Sequence, residues 1–458
     1  MQSYQQNQKN NDQQIEENLI PQYNAIIDNS NSQRLEQIAL HNDLIKSKTG
    51  SWSPQNKEEL AQCHNYGNIV ENATLKGGAD TNTSLHLSHL QPLPGSLDET
   101  ELLVSNNPEM FSKPGYLFRS SGTTGKVNYD HSNSKAMEER GNLGHTFNKG
   151  NFVLYLHHLN DVATVPSVNM VVILRNPSNR LVKGKLDGAI QQTKDPKGNW
   201  GPNKEAFGGP NAIAADGAMT QDASKGHRIT QFTIPPGGSI RAVVHKVAWK
   251  AEVDGRFEID ADGPLTCDIL AEAAGANNGY PEAADGHWAS TSKGALGRAS
   301  GVYKGANWIW RGEPMEIPRK GQAKGYLVSG TKYQEKIQSQ PPQAISKYRD
   351  SSQGVEGCYG VRYDLTFPLY NPSPETRRVQ VAFTAPFKEG EKQPPSFHWM
   401  GPVKVNGKIL RIRVNELGDG SILGTWDLPS GARQDIHLEF LTPGDITAPE
   451  AIELRTIS

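Results

Sequence analysis

The stretch 359–386, YGVRYDLTFPLYNPSPETRRVQVAFTAP, decides how this chain is read. Val361, Tyr363, Leu365 and Phe367 recur at every second position, the spacing that places side chains on one face of an extended segment. Asn371, Pro372, Ser373 and Pro374 interrupt the pattern, because a proline ring fixes φ and an Asn before proline favours a turn. Val379, Val381 and Phe383 then alternate again. The stretch predicts two adjacent antiparallel strands joined by a proline-rich turn, half of a β-sandwich sheet.

An echo lies about two hundred residues earlier. Residues 169–186, NMVVILRNPSNRLVKGKL, give an apolar run, the turn Asn176-Pro177-Ser178 and a second run. Downstream, Phe232-Thr233-Ile234-Pro235-Pro236-Gly237-Gly238 leads into Ile240, Ala242 and Val244. In the later copy Trp426-Asp427-Leu428-Pro429-Ser430-Gly431 leads into Ile436, Leu438 and Phe440. An ordered pair of motifs that occurs twice predicts two related sandwiches. The fold expected is all-β: two immunoglobulin-like or jelly-roll-type sandwiches behind an N-terminal extension that is helical or disordered. The boundaries expected are 1–80 for the extension, 81–295 for the first sandwich with its lead-in, 296–354 for bridging strands and linker, and 355–458 for the second sandwich.

With 458 residues the chain is long enough for two or three domains, each with its own core. Its 45 Gly and 29 Pro against 35% hydrophobic residues favour short strands over long helices. The formal net charge of -2, with no long basic run, argues against nucleic acid as a partner. No apolar run approaches the roughly 18 residues of a membrane span, and the opening MQSYQQNQKNNDQQIEENL lacks the basic start and apolar core of an export signal. Residues 1–80 are rich in Gln and Asn. Ile15, Leu19, Ile20, Ile26, Ile27, Leu35 and Ile38 recur at near-helical spacings there, so amphipathic helices and a disordered tail are both open. Cys63, Cys267 and Cys358 lack metal or redox spacing; a Cys267–Cys358 disulfide is one option and unpaired buried thiols the other.

Several residues invite chemistry, each against a plainer role. Ser120-Ser121-Gly122-Thr123-Thr124-Gly125-Lys126 looks like the phosphate loop of adenylate-forming enzymes, but it lacks Walker spacing and the surroundings do not alternate strand and helix. His157 and His158 are neighbours in a predicted strand, so they point to opposite faces and cannot share a metal; one is expected at the core edge and one in solvent. His86 and His89 have no carboxylate cluster beside them, and Cys63-His64 is adjacency without geometry. Asp254, Asp260 and Asp262 are weak calcium candidates without EF-hand spacing, and Asp-Gly more often marks a tight hairpin turn. Tyr303, Trp308 and Trp310 with Arg298 and Arg311 offer a stacking platform for a carbohydrate or peptide, or else fill an interdomain core. No motif calls for a cofactor, and His157, Asp161 and Asp364 are the residues to test first for a hydrolase.

Read together, Leu93-Pro94-Gly95 with Asp98, Asn106-Asn107-Pro108-Glu109, Asn176-Pro177-Ser178, Ile234-Pro235-Pro236-Gly237, Gly297-Arg298, Ser300-Gly301-Val302 with Gly305 and Trp308, and Tyr359-Gly360 through Asn371-Pro372 carry a resemblance. From about Leu85 to the C-terminus the chain resembles a cyanobacterial family defined only as a domain of unknown function. That resemblance implies a cell-envelope or extracellular setting and brings no activity or catalytic residues. The function expected is a non-enzymatic structural or adhesive protein, contacting other proteins, itself or envelope polysaccharide. A carbohydrate-binding module and a hydrolase with a site between the sandwiches are the alternatives.

Overall fold

A computed structural model describes residues 74–76, 90–121, 143–192, 204–273, 298–330, 340–386, 399–414, 419–444, 446 and 449–458. The extension before residue 74, Cys63-His64, His86, His89, Gly297 and most of the Ser120–Lys126 loop lie outside them. Three short strands come first: β1 (Thr74–Lys76), β2 (Leu90–Pro92) and β3 (Ser96–Leu97). The first repeat follows with β4 (Glu101–Ser105), β5 (Met110–Phe111), β6 (Gly115–Arg119), β7 (Phe152–Asn160), β8 (Ser167–Arg175) and β9 (Val182–Gln192). Helix α1 (Lys204–Thr220) is inserted before β10 (His227–Ile234), β11 (Ser239–Ala248), β12 (Glu252–Ala261) and β13 (Thr266–Ala273). After β14 (Ser300–Lys304), the second repeat begins with β15 (Asn307–Arg311), β16 (Met315–Glu316) and β17 (Ala323–Ser329), and β18 (Gln343–Lys347) interrupts it. It continues through β19 (Arg362–Tyr370), β20 (Arg377–Thr384), β21 (Trp399–Val405), β22 (Lys408–Val414), β23 (Asp419–Leu428), β24 (Arg433–Leu441) and β25 (Glu450–Thr456).

The duplication is visible strand by strand. One sheet of the first sandwich contains the order β10-β9-β12-β7-β4, and its counterpart contains β22-β21-β24-β19-β15. The opposing sheets run β11-β8-β13-β6 and β23-β20-β25-β17. Even the unusual pairings recur: β4 and β5 run parallel to β7, as β15 and β16 run parallel to β19. Strand β19 buries Tyr363, Leu365, Phe367 and Leu369 and turns the intervening residues outward, as its alternation predicts. Each sandwich closes over its own apolar cluster.

The bridging segment expected over 296–354 is instead shared between the two sandwiches. Strands β14 and β18 extend the first sandwich's sheet beyond β4, whereas β15, β16 and β17 belong to the second. Reciprocally, β3, which leads into β4, pairs with β15, while β14, which leads into β15, pairs with β4. Each repeat thus lends its leading strand to the other, and boundaries at 296 and 355 cut through both. Asp98 fastens the exchange: its Oδ1 accepts from the Ala306 and Asn307 N–H groups at 3.0 and 3.1 Å, and its Oδ2 from Asn307 Nδ2 at 2.7 Å. Trp308 Nε1 donates to the Pro94 carbonyl at 2.8 Å, and a side chain on Gly95 would meet the Ile309 carbonyl at 2.4 Å.

Helix α1 is the exception to the all-β expectation. Its sequence, KEAFGGPNAIAADGAMT, carries two glycines and a proline in its first half and no clear apolar stripe, so periodicity does not announce it. It lies between the sandwiches. Ala212 and Ile213 pack on Met400 of β21, Asp216 takes Arg411 of β22 at 2.5 Å, and Asn211 donates to Glu252 of β12 at 2.7 Å. The tertiary joint holds a helix that its own sequence specifies weakly.

Candidate functional site

Strand β7, FVLYLHHLN, is buried at every position because its sheet is covered on both faces. Leu154 and Leu156 face the first core, whereas Val153 and Tyr155 join the cluster that fills the second sandwich. His157 and His158 do point to opposite faces, but neither is solvated. His158 Nε2 lies 2.8 Å from Ser105 Oγ, and its Nδ1 lies 2.7 Å from the Pro108 carbonyl. Its two ring nitrogens are thereby matched to one donor and one acceptor, a structural role.

His157 faces the joint between the repeats and meets residues that sequence spacing did not connect. Its Nδ1 lies 3.3 Å from Asp254 and 3.5 Å from Glu252, and its Nε2 lies 3.9 Å from Glu109. Tyr155 donates its hydroxyl to Asp254 at 2.8 Å. Asp254 sits opposite His157 in the β12–β7 register, so cross-strand pairing creates the contact. Burial opposes charge on His157, but Glu252, Asp254 and Glu109 together raise its pKa to about 10. Burial, with Asp254 beside it, pushes the Tyr155 phenol well above its usual range. Gly444, in the loop after β24, seals the group: a Cβ there would lie 2.3 Å from Asp254 and 2.6 Å from His157.

Charged contacts cross the joint nearby. Arg256 donates to the Gly360 carbonyl and to Glu258, each at 2.9 Å; Arg362 reaches Glu258 at 3.6 Å and Glu439 at 2.8 Å. At the rim, Arg298 holds Glu109 at 2.9 Å, with the arginine side chain 54% exposed. The imidazolium and its carboxylates all belong to the first sandwich, with Gly444 of the second packed over them, and a buried imidazolium so held has no free lone pair with which to take a proton.

The remaining sequence candidates separate. Asp161 pairs with Lys250 at 2.5 Å, and Asp364 with Arg311 and His437 at 2.5 Å each, on a different sheet from His157, so the three hydrolase candidates do not converge. Asp254-Gly255 lies within β12 and forms no hairpin turn. Asp262-Gly263 turns the chain from one sheet to its opposite, with Asp262 Oδ1 accepting from Lys183 N at 2.8 Å. Asp254 is buried while Asp260 and Asp262 are exposed, and among the described residues no group of three or more His, Cys, Asp or Glu is arranged to hold a metal. Tyr303 and Trp308 are in the core, and Trp310 packs its ring on Phe367 at 4.9 Å, so an open stacking platform is not formed. Rings flanked by arginines were packing residues of the strand exchange. Cys267 and Cys358 are buried free thiols and make no disulfide; burial raises both.

Among known proteins, no curated relative matches the chain. Among solved structures, the crystal structure of PBSX exported protein XepA is 8% identical, over 70% of this chain and 88% of that one, with a TM-score of 0.14, a likeness that carries no argument. The family model described as "Protein of unknown function (DUF3370)" matches twice, over residues 88–282 and 274–456, in agreement with the two structural repeats. The chain therefore belongs to the DUF3370 family.

Proposed function

We propose that this chain is a non-enzymatic structural or adhesive protein of the cell envelope or exterior, contacting other proteins or further copies of itself. The observation that carries the reading is the set of charged contacts that cross from one sandwich to the other: Arg256 of the first donates to the Gly360 carbonyl of the second, and Arg362 of the second reaches Glu258 of the first. The exchange of β3 and β14 works to the same end, since pulling the repeats apart requires breaking strand pairings on both sides. Such a joint suits a load-bearing or scaffolding unit. Sheet edges and loop ends would supply its contacts.

The test is fractionation of the source cells with an antiserum against the chain, combined with light scattering of the purified protein. Recovery in envelope or external fractions, with assembly that grows with concentration, is expected. Recovery confined to the cytosol, with a monomer at every concentration, would sink the proposal.

A further inference from the structure

The socket that Gly444 covers in the first sandwich has a counterpart in the second, and that counterpart is open. His157 stands three residues before Asn160 at the end of β7, and Pro368 three residues before Asn371 at the end of β19. The neighbouring strand brings matching positions to each. Asp254 lies opposite His157 and Asp435 opposite Pro368, while Glu252 and Arg433 lie opposite the residue just before each asparagine. Glu109 and Pro314 each precede a short parallel strand, β5 or β16. Gly444 lies nine residues after Asp435, as Gly263 lies nine after Asp254. Each of these glycines stands two residues ahead of a buried side chain, Ile446 or Leu265.

The two sites differ in what covers them. In the first sandwich His157 and Asp254 are buried beneath the Gly444 turn of the second. In the second, Pro314, Pro368, Arg433, Gln434 and Asp435 line a pocket of about 500 Å³, and Arg433 and Asp435 are exposed. Arg433 rests over the Tyr370 ring at 5.6 Å. The pocket thus has proline walls, one cation and one carboxylate, where the first site has an imidazolium and three carboxylates.

The turn that matches the plug, Asp262-Gly263-Pro264, belongs to the first sandwich. Asp262 is exposed, and the exposed Arg180 donates to its carbonyl. Within the chain Gly263 packs on Val182 and Arg180, so the turn does not enter its own chain's pocket. Its charges complement that pocket: Arg180 suits Asp435, and Asp262 suits Arg433.

We propose that the pocket around Pro368 is an assembly site whose occupant is the Asp262–Pro264 turn of a second copy of this chain, seated as Gly444 is seated on His157 and Asp254. The inference rests on the self-assembling form of the function proposed above. It continues between copies a contact already made between the two sandwiches of one chain. A first-sandwich turn in a second-sandwich pocket is a heterologous contact that does not close on itself, so it yields chains of copies.

Charge reversal on each side tests it, with light scattering of the full chain as the readout. Asp435→Arg and Arg180→Glu change exposed side chains, and each alone should raise the concentration needed for assembly roughly tenfold. An equimolar mixture of the two should assemble as the parent does, because every pocket then finds a turn of opposite charge on the other variant. Assembly of either variant at the parent's concentration, or a mixture that regains nothing, overturns the docking and leaves the broader reading standing. A parent that is monomeric at every concentration overturns both. Independently of charge, D435C/D262C in a full-length Cys63→Ser background should give ladders on a non-reducing gel that grow with protein concentration and stop at dimers in either single variant. Absence of the ladder at concentrations where the parent assembles overturns the docking.

Discussion

Asn160 and Asn371 hold the same turn of the two repeats through the same bonds. Asn371 Nδ2 donates to the Leu428 and Pro429 carbonyls at 2.8 and 3.1 Å, its N–H to Ala432, and its carbonyl accepts from Gly431. Asn160 Nδ2 donates to the Val247 and Ala248 carbonyls at 3.1 and 3.0 Å, its N–H to Ala251, and its carbonyl accepts from Lys250. Gly431 and Lys250 both take left-handed backbone, at φ 72° and 64°. Asn176, whose Asn-Pro-Ser sequence matches Asn371-Pro372-Ser373, makes the same set of bonds one hairpin later in the first repeat. The sequence echo therefore reports a shared clasp, and the repeat register is set by Asn160.

Replacing any of the three asparagines should be costly, since each leaves buried carbonyls without a donor. Asn371→Ala, Asn176→Ala and Asn160→Ala are each expected to lower stability by about 2–4 kcal/mol in urea unfolding. If Asn160→Ala were neutral, the structural equivalence of Asn160 and Asn371 would have no energetic content.

Asp98→Ala should loosen the strand exchange. The Ala306 and Asn307 amides lose their carboxylate partner, and a cost of roughly 2–3 kcal/mol is expected. Hydrogen exchange should show the loss in β14 and β15 together with β3 and β4. Opening confined to β3 would mean that the two sandwiches do not depend on each other there.

His157 gives the β7–β12 pair of the first sandwich an alkaline limit. Its pKa is about 10 in the folded chain against an ordinary 6.5, so its contribution is fully present below about pH 6.5 and disappears as pH rises through 10. Between those values the native chain should lose on the order of 2–4 kcal/mol that His157→Gln does not lose. Denaturant titrations of both proteins at pH 6, 8 and 10 measure the difference; parallel curves would show that His157 is uncharged in the joint.

Glu450 works in the opposite sense. Buried beside Ser329, whose hydroxyl it accepts, its carboxyl is pushed by that burial to about 8. The folded chain holds a proton that the unfolded chain releases near its ordinary 4.5, so stability falls as pH rises from about 4.5 to 8. Glu450→Gln should equal the parent near pH 4.5 and exceed it by about 1–3 kcal/mol at pH 8. A variant less stable than the parent at pH 8 would show that the charged form is the one the fold holds.

Much of the fold was legible in local pattern. Alternation in 359–386 gave β19 and β20, and the recurrence of Asn-Pro with a Pro-x-Gly turn gave the duplication, because turns and pleats are fixed by neighbours in sequence. The exact register was hidden because Lys250 stands where the other clasps have Gly, and because Asn160 lacks a following proline. Helix α1 was hidden for a related reason: its stability comes from Met400, Arg411 and Glu252 rather than from its own periodicity.

The sequence by itself determined that the chain is all-β in the main, twice built and punctuated by asparagine and glycine turns. Only the tertiary structure decided that β3 and β14 trade sheets, that Trp308 is core, and that His157 and Asp254 meet Gly444. These depend on pairings between residues hundreds of positions apart. Such contacts are selected by the summed burial and hydrogen bonding of whole sheets, a quantity to which no local window of sequence has access.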